Sequence, residues 1–226
     1  TATAVTTITG TAAQLATTYD GGITGLGNEA ITLSDTSVSA SSINSLDGDT
    51  TGVINASNVT TITGTYSEIT TAQSSSGITG LDGVNTIISG NMTVAQANTV
   101  AATTTDPVTA TITDGDMATL AGLTETGNAY TITITDQTVD STALNELDAK
   151  TTVAVNASAV TILTGTAAAA NTAYASSGIS GLANEAITLE DTTLAASVLN
   201  TLDGNTTGAV NAHNVTTITG TAADAN

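Results

Sequence analysis

The chain has 226 residues, twenty acids against a single Lys, and a formal net charge of −19. That balance excludes nucleic acid and anionic membrane surfaces as partners, because both need Lys and Arg to displace counterions. With no Phe, no Trp and only four Tyr, the 40% apolar content is almost all Ala, Val, Ile and Leu; this is too much for a disordered acidic tail and suits a narrow aliphatic interior better than a round core.

The first element read along the chain is the string TTITGT at Thr6, which returns at Thr60 and Thr216, with the variant TILTGT at Thr161. A helical stretch follows in GTAAQLATTYDGG, where Thr11 and Gln14 have capping-box spacing, as do Thr65 and Glu68 further on. GITGLGNEA then turns the chain back through its glycines. Next comes an aliphatic anchor with further aliphatics five, ten and thirteen residues later: Leu33, Val38, Ile43 and Leu46. A shorter form is Ile54, Val59 and Ile62, and looser copies begin at Ile87 and Ile112. Between those copies the single proline, Pro107, marks an irregular loop from Ala101 to Pro107. YTITITD (Tyr130 to Asp136) alternates as a strand does, and DSTALNELDA reads as one or two helical turns capped by Asp140 or Ser141. The series closes with Ile134/Val139, Val155/Val160, Leu189/Leu194 and Val210/Val215. Asn28 to Gly48 returns as Asn184 to Gly204 with fourteen of 21 positions identical.

The anchors at 33, 54, 87, 112, 134, 155, 189 and 210 are separated by steps of 21 to 34 residues. Steps of that size predict a β-solenoid, either leucine-rich-repeat-like or parallel β-helix-like. Its coils would stack one parallel column of short strands joined by short helical turns. The expectation is one continuous segment over 1–226, with super-repeats at 6–59, 60–110, 111–160 and 161–215 and the start of another at 216–226. TATAVTTITG and NAHNVTTITG match in phase, so the segment is expected to lack terminal caps and to stack on more of itself, head to tail or within a longer array.

LxLxDxxVxAxxLNxLD resembles leucine-rich repeats without their Asn at the strand end. TLAASVLNTLDGNTTGAVNA and VTTITGTAA…YASSGISGLANEAITL resemble more closely the Thr/Ala/Gly-rich tandem repeats of giant cell-surface proteins of marine unicellular cyanobacteria, of the type needed for swimming. The likeness covers nearly the whole chain and is weakest from Val84 to Asn128. It implies an extracellular or cell-surface location and carries over no catalytic residue.

Four acids, Asp35, Asp114, Asp136 and Asp191, lie two residues past an anchor. They are candidates for a Ca²⁺ ladder or, alternatively, each caps its own turn as an Asx-turn by accepting backbone amides. No other cofactor is expected. Six Asn-x-Ser/Thr sequons, at Asn55, Asn58, Asn91, Asn156, Asn205 and Asn214, leave glycan attachment open. Thr111/Thr113 and Thr133/Thr135 suggest an ice-binding pattern that the other coils do not extend. His213 reads as a turn residue, and Tyr19 and Tyr174 as covers over helical turns. With one Lys, an enzyme acting on acidic polysaccharide is not expected. The expected function is a structural repeat segment of an extracellular fibre or rod. The alternative is a surface adhesin that binds glycan, Ca²⁺, ice or mineral through its Thr/Asn/Asp face.

Overall fold

The computed structural model describes residues 1–221 and 224, which fall in two compact units, Thr1–Thr111 and Ile112–Asn226. The first unit runs β1 (Thr7–Gly10), α1 (Ala12–Asp20), β2 (Ala30–Leu33), β3 (Ser37–Ser39), α2 (Ala40–Asp49), β4 (Ile54–Asn55), β5 (Thr61–Gly64), α3 (Tyr66–Ser74), β6 (Ile78–Thr79), β7 (Asn85–Met92), α4 (Val94–Ala101) and β8 (Val108–Ile112). One sheet has the order β1-β2-β4-β6; in a second, β3, β5, β7 and β8 are successive neighbours. Ile8, Ile31, Ile54 and Ile78 stand opposite one another across the first sheet, and the last three are buried.

Local chemistry explains the helices. Each begins after a Thr, Ser or Asp that supplies an acceptor to a first-turn amide, except the last helix of the chain, whose cap is Ala195. Full capping boxes close on Thr11/Gln14, Thr65/Glu68 and also Thr93/Gln96. Small and aliphatic residues at i, i+3 then bury one face: Ala40, Ile43 and Leu46 in α2, for example. α1 packs on α2 and α2 on α3, and the Asn44 amide donates to the Glu68 carbonyl at 2.9 Å to fix the second pair.

The second unit runs α5 (Met117–Leu120), β9 (Ala129–Thr131), β10 (Thr138–Asp140), α6 (Ser141–Asp148), β11 (Val155–Asn156), β12 (Ile162–Gly165), α7 (Ala167–Ala175), β13 (Ile179–Ser180), β14 (Ala186–Leu189), β15 (Thr193–Ala195), α8 (Ala196–Asn205), β16 (Val210–Asn211) and β17 (Thr217–Thr219). Its sheets are β10-β12-β14-β16, β11-β13 and β15-β17. α6, α7 and α8 pack in succession, with Asn145 donating to the Ala169 carbonyl and Asn171 to the Val198 carbonyl.

The expected single-column β-solenoid, whether leucine-rich-repeat-like or β-helix-like, is overturned. Eight helices stand among the described residues, and the strands, though parallel, are divided among several short sheets, so the fold is α/β. The small-residue stretches read as one or two helical turns are mostly helices of eight to ten residues, because each carries an apolar stripe and, in all but α8, a side-chain cap. The spacing also differs. Paired strands join residues 23 or 24 positions apart, as in Thr7 with Ala30 and Thr61 with Asn85. Steps of 21 to 34 arose from mixing columns: Leu33 stands opposite Gly10, whereas Ile54 stands opposite Ile31 and Ile78. Ile31 and Leu33 both face inward from one strand, and periodicity alone does not say which of them carries the column.

Candidate functional site

Threonine is abundant here partly because its hydroxyl fastens one turn of chain to another. Thr50 Oγ1 donates to the Glu29 carbonyl at 2.8 Å and accepts the Gly52 amide at 3.0 Å. Thr206 repeats this with the Glu185 carbonyl and the Gly208 amide, both within 2.9 Å. Thr104 and Thr151 donate likewise to the carbonyls of Val84 and Tyr130. Four equivalent backbone positions therefore carry Glu29, Val84, Tyr130 and Glu185, and all four side chains are buried. A Cβ at Gly52 or Gly208 would overlap the glutamate carbonyl oxygen, so both positions need glycine.

The two glutamates are fully enclosed, in a chain with almost no cations to pair them. Neutral donors hold them instead. Glu29 Oε2 accepts the Tyr19 hydroxyl at 3.1 Å and the Gly27 amide at 2.8 Å. Glu185 Oε2 accepts the Tyr174 hydroxyl at 2.9 Å and the Ala183 amide at 3.0 Å. Glu185 Oε1 also accepts the Ala183 amide, at 3.2 Å, while Glu29 Oε1 is buried with no hydrogen-bond partner. The Gly27 amide, helped by the Tyr19 hydroxyl, holds the Glu29 carboxyl below its ordinary range even though burial opposes this. Burial first, and the adjoining carboxylate second, push the Tyr19 phenol up; burial dominates the upward shift of Tyr174 as well. Tyr130 is pushed up to about 12 by burial, with Glu125 adding to the effect. Each Tyr–Glu pair thus ties the end of α1 or α7 to the glycine-containing loop that follows. The sequence reading assigned Tyr19 and Tyr174 to covering helical turns and gave no role to Glu29 or Glu185.

Three of the four candidate calcium ligands accept backbone amides from a distant helix start. Asp35 Oδ2 takes the Ala12 amide at 2.8 Å, Asp136 Oδ2 the Met117 amide at 2.6 Å and Asp191 Oδ2 the Ala167 amide at 2.8 Å. The donors lie 23, 19 and 24 residues away, so these are clasps between turns of chain and not local Asx-turns. Asp114 is half-buried. Among the described residues, no group of three or more His, Cys, Asp or Glu is placed to hold a metal ion. A second pair of acids, Asp47 and Asp148, accepts the hydroxyls of Ser75 and Ser176 at 2.7 and 2.6 Å.

Leu33, Val38, Ile54, Val59, Ile112, Ile134, Val139, Val155, Val160, Leu189 and Leu194 are buried, and Val210 and Val215 are half-buried. Ile87 is a correction: it is 42% exposed, and Thr86 and Ile88 face inward on either side of it. Two adjacent isoleucines gave the alternation two equally apolar phases, and pairing of Thr86 with Ile62 selects the other one. The side-chain amides of Asn58 and Asn214 donate to the carbonyls of Leu33 and Leu189, so a glycan there would break a bond between turns of chain. Asn55 and Asn156 fold their side-chain oxygens onto the amides of Ser57 and Ser158. His213 lies exposed in a turn. Thr111, Thr113, Thr133 and Thr135 are exposed. Lys150 Nζ donates to the Thr124 carbonyl at 3.1 Å. Among the described residues, no helix is long and apolar enough to cross a membrane.

No family model matches the chain, and no curated protein or solved structure matches it.

Proposed function

We propose that this chain is a structural repeat segment of an extracellular or cell-surface fibre or rod and carries no catalysis of its own. One observation carries the reading: reactive-looking side chains are engaged in holding neighbouring turns of chain together. Asp35, Asp136 and Asp191 cap distant helices, Asp47 and Asp148 hold serines, and Glu29 and Glu185 are sealed by tyrosines. A catalytic carboxylate needs access to a substrate proton, and these enclosed glutamates offer none. The resemblance to giant surface-protein repeats supports the location. Immunogold labelling of source cells with antibody to the purified chain tests it: gold confined to the cell exterior is expected, and cytosolic gold would overturn the reading.

A further inference from the structure

The six Asn-x-Ser/Thr sequons share a sequence pattern, but the fold treats them differently. In two of them both polar residues are engaged. The Asn58 and Asn214 amides donate to the carbonyls of Leu33 and Leu189, and the hydroxyls of Thr60 and Thr216 donate to those of Thr36 and Thr192. In a third, the Asn205 amide donates to Asn171 Oδ1 at 2.9 Å. Asn55 and Asn156 are held by their backbones between two strands, Asn55 opposite Thr32 and Thr79, Asn156 opposite Thr133 and Ser180. Asn91 differs from all five. It is exposed, and its side chain makes no hydrogen bond to any described residue. It lies beyond the part of β7 that pairs with β5, which ends at Ile88 opposite Gly64. Gly90, just before it, has a φ of +93°, and a Cβ there would meet nothing within 4 Å, so the chain turns into open space at this point. Met92 is fully buried, so its neighbour Asn91 points outward. Thr93, the hydroxyl residue of the sequon, is exposed; its oxygen accepts the Gln96 amide at 3.3 Å, which leaves its O–H to donate.

We propose that Asn91 is the acceptor for an N-linked sugar, the sequon that this fold leaves open to a glycosyl diphosphate donor and its transferase. In the transfer, the bond between C1 of the sugar and the diphosphate oxygen breaks, and the diphosphate leaves with the electron pair. Asn91 Nδ2 forms the new bond to C1 and gives up one proton, which passes through a base of the transferase to the medium. The product amide stays neutral, and no oxidation or reduction takes place. At Asn91 this removes no bond from the fold, and the bulky sugar projects into solvent. At Asn58 or Asn214 it removes a donor that joins two turns of chain, and the Thr hydroxyl must also be released first. At Asn55 or Asn156 the transferase must draw a paired strand out of its sheet. The middle residue of the sequon is buried or half-buried at all six sites, so it does not distinguish them. The assignment concerns the folded chain and does not depend on where the protein resides.

The test uses the full folded chain, UDP-glucose and a soluble N-glycosyltransferase chosen because it modifies a synthetic peptide of residues 87–97. Peptides carrying the other sequons, treated alongside, set the rate that each has without the fold, and peptide mass mapping locates the sugar on the chain. The expected result is one hexose per chain, on Asn91, absent from Asn91→Gln and kept in Asn55→Gln. Relative to its own peptide, Asn91 is expected to react about tenfold faster or more than Asn58 or Asn214, which must each first break two hydrogen bonds. The glucosylated chain should melt with the parent, since no bond inside the fold is lost. A folded chain left bare under conditions that fully modify the peptide would overturn the proposal. So would a normalised rate at any other sequon that matches or exceeds that at Asn91. A lowered thermal midpoint of the glucosylated chain would also overturn it, by showing that the fold uses the Asn91 amide.

Discussion

At the scale of single residues, the informative side chains are those that break the rule for their type. Glu29 is an ionisable group with no exposed surface, made tolerable by a phenol and an amide. Its folded pKa is depressed, so its contribution is present above the unfolded value of about 4.3 and is lost as pH falls through the lower folded value. Glu29→Gln keeps the shape and removes that charge. Its thermal midpoint should lie below the parent's at neutral pH, with the gap closing as the solution is acidified towards pH ~2. A gap that stays constant with pH would show that the carboxylate is not ionised in the folded chain. The adjacent isoleucines give a second prediction. Ile88→Ala is expected to cost about 2–5 kcal/mol, as buried aliphatics do. Ile87→Ala should remain within about 0.5 kcal/mol of the parent. Urea unfolding of both variants measures the difference, and equal losses would contradict the assigned phase of β7.

At the scale of elements, what the sequence reveals depends on how far apart the partners are. Capping boxes at Thr11/Gln14 and Thr65/Glu68 are readable because donor and acceptor are three residues apart. The turn-and-repeat punctuation and most inward aliphatics are readable for the same reason, since periodicity is local. Lost from view were the length of the helices, the 23- or 24-residue spacing of strand partners and the burial of Glu29. Each of these depends on a partner some ten to twenty-five residues away: Tyr19 for the carboxylate, Thr50 for the carbonyl, Asp35 for the start of α1. An acid two residues past an anchor is equally compatible with a metal, a local turn or a remote amide, and only the fold selects the amide. Asp191 should therefore behave as a second cap of α7, acting beside Thr166, which receives the Ala169 amide. Asp191→Ala is expected to destabilise by about 0.5–2 kcal/mol, the range for a lost helix cap. Hydrogen exchange should quicken first at the Ala167 amide, which loses its acceptor. Unchanged exchange there would mean that the clasp does not persist in solution.

At the scale of the whole molecule, cohesion is short-ranged and repulsion is long-ranged. The hydrogen bonds that join neighbouring turns of chain act between atoms about 3 Å apart and are hardly screened, whereas twenty acids and one Lys act on each other over the Debye length. The folded chain holds those acids closer together than the unfolded chain does, so self-repulsion weakens the folded state selectively. Added salt should then raise the thermal midpoint, steeply at first and levelling as screening saturates. Calorimetry of dilute protein across a sodium chloride series measures the rise. A midpoint that is flat or falls with salt in dilute protein would mean that the acids are already compensated in the folded state, and that the donors around Glu29, Asp35 and their counterparts outweigh the net charge.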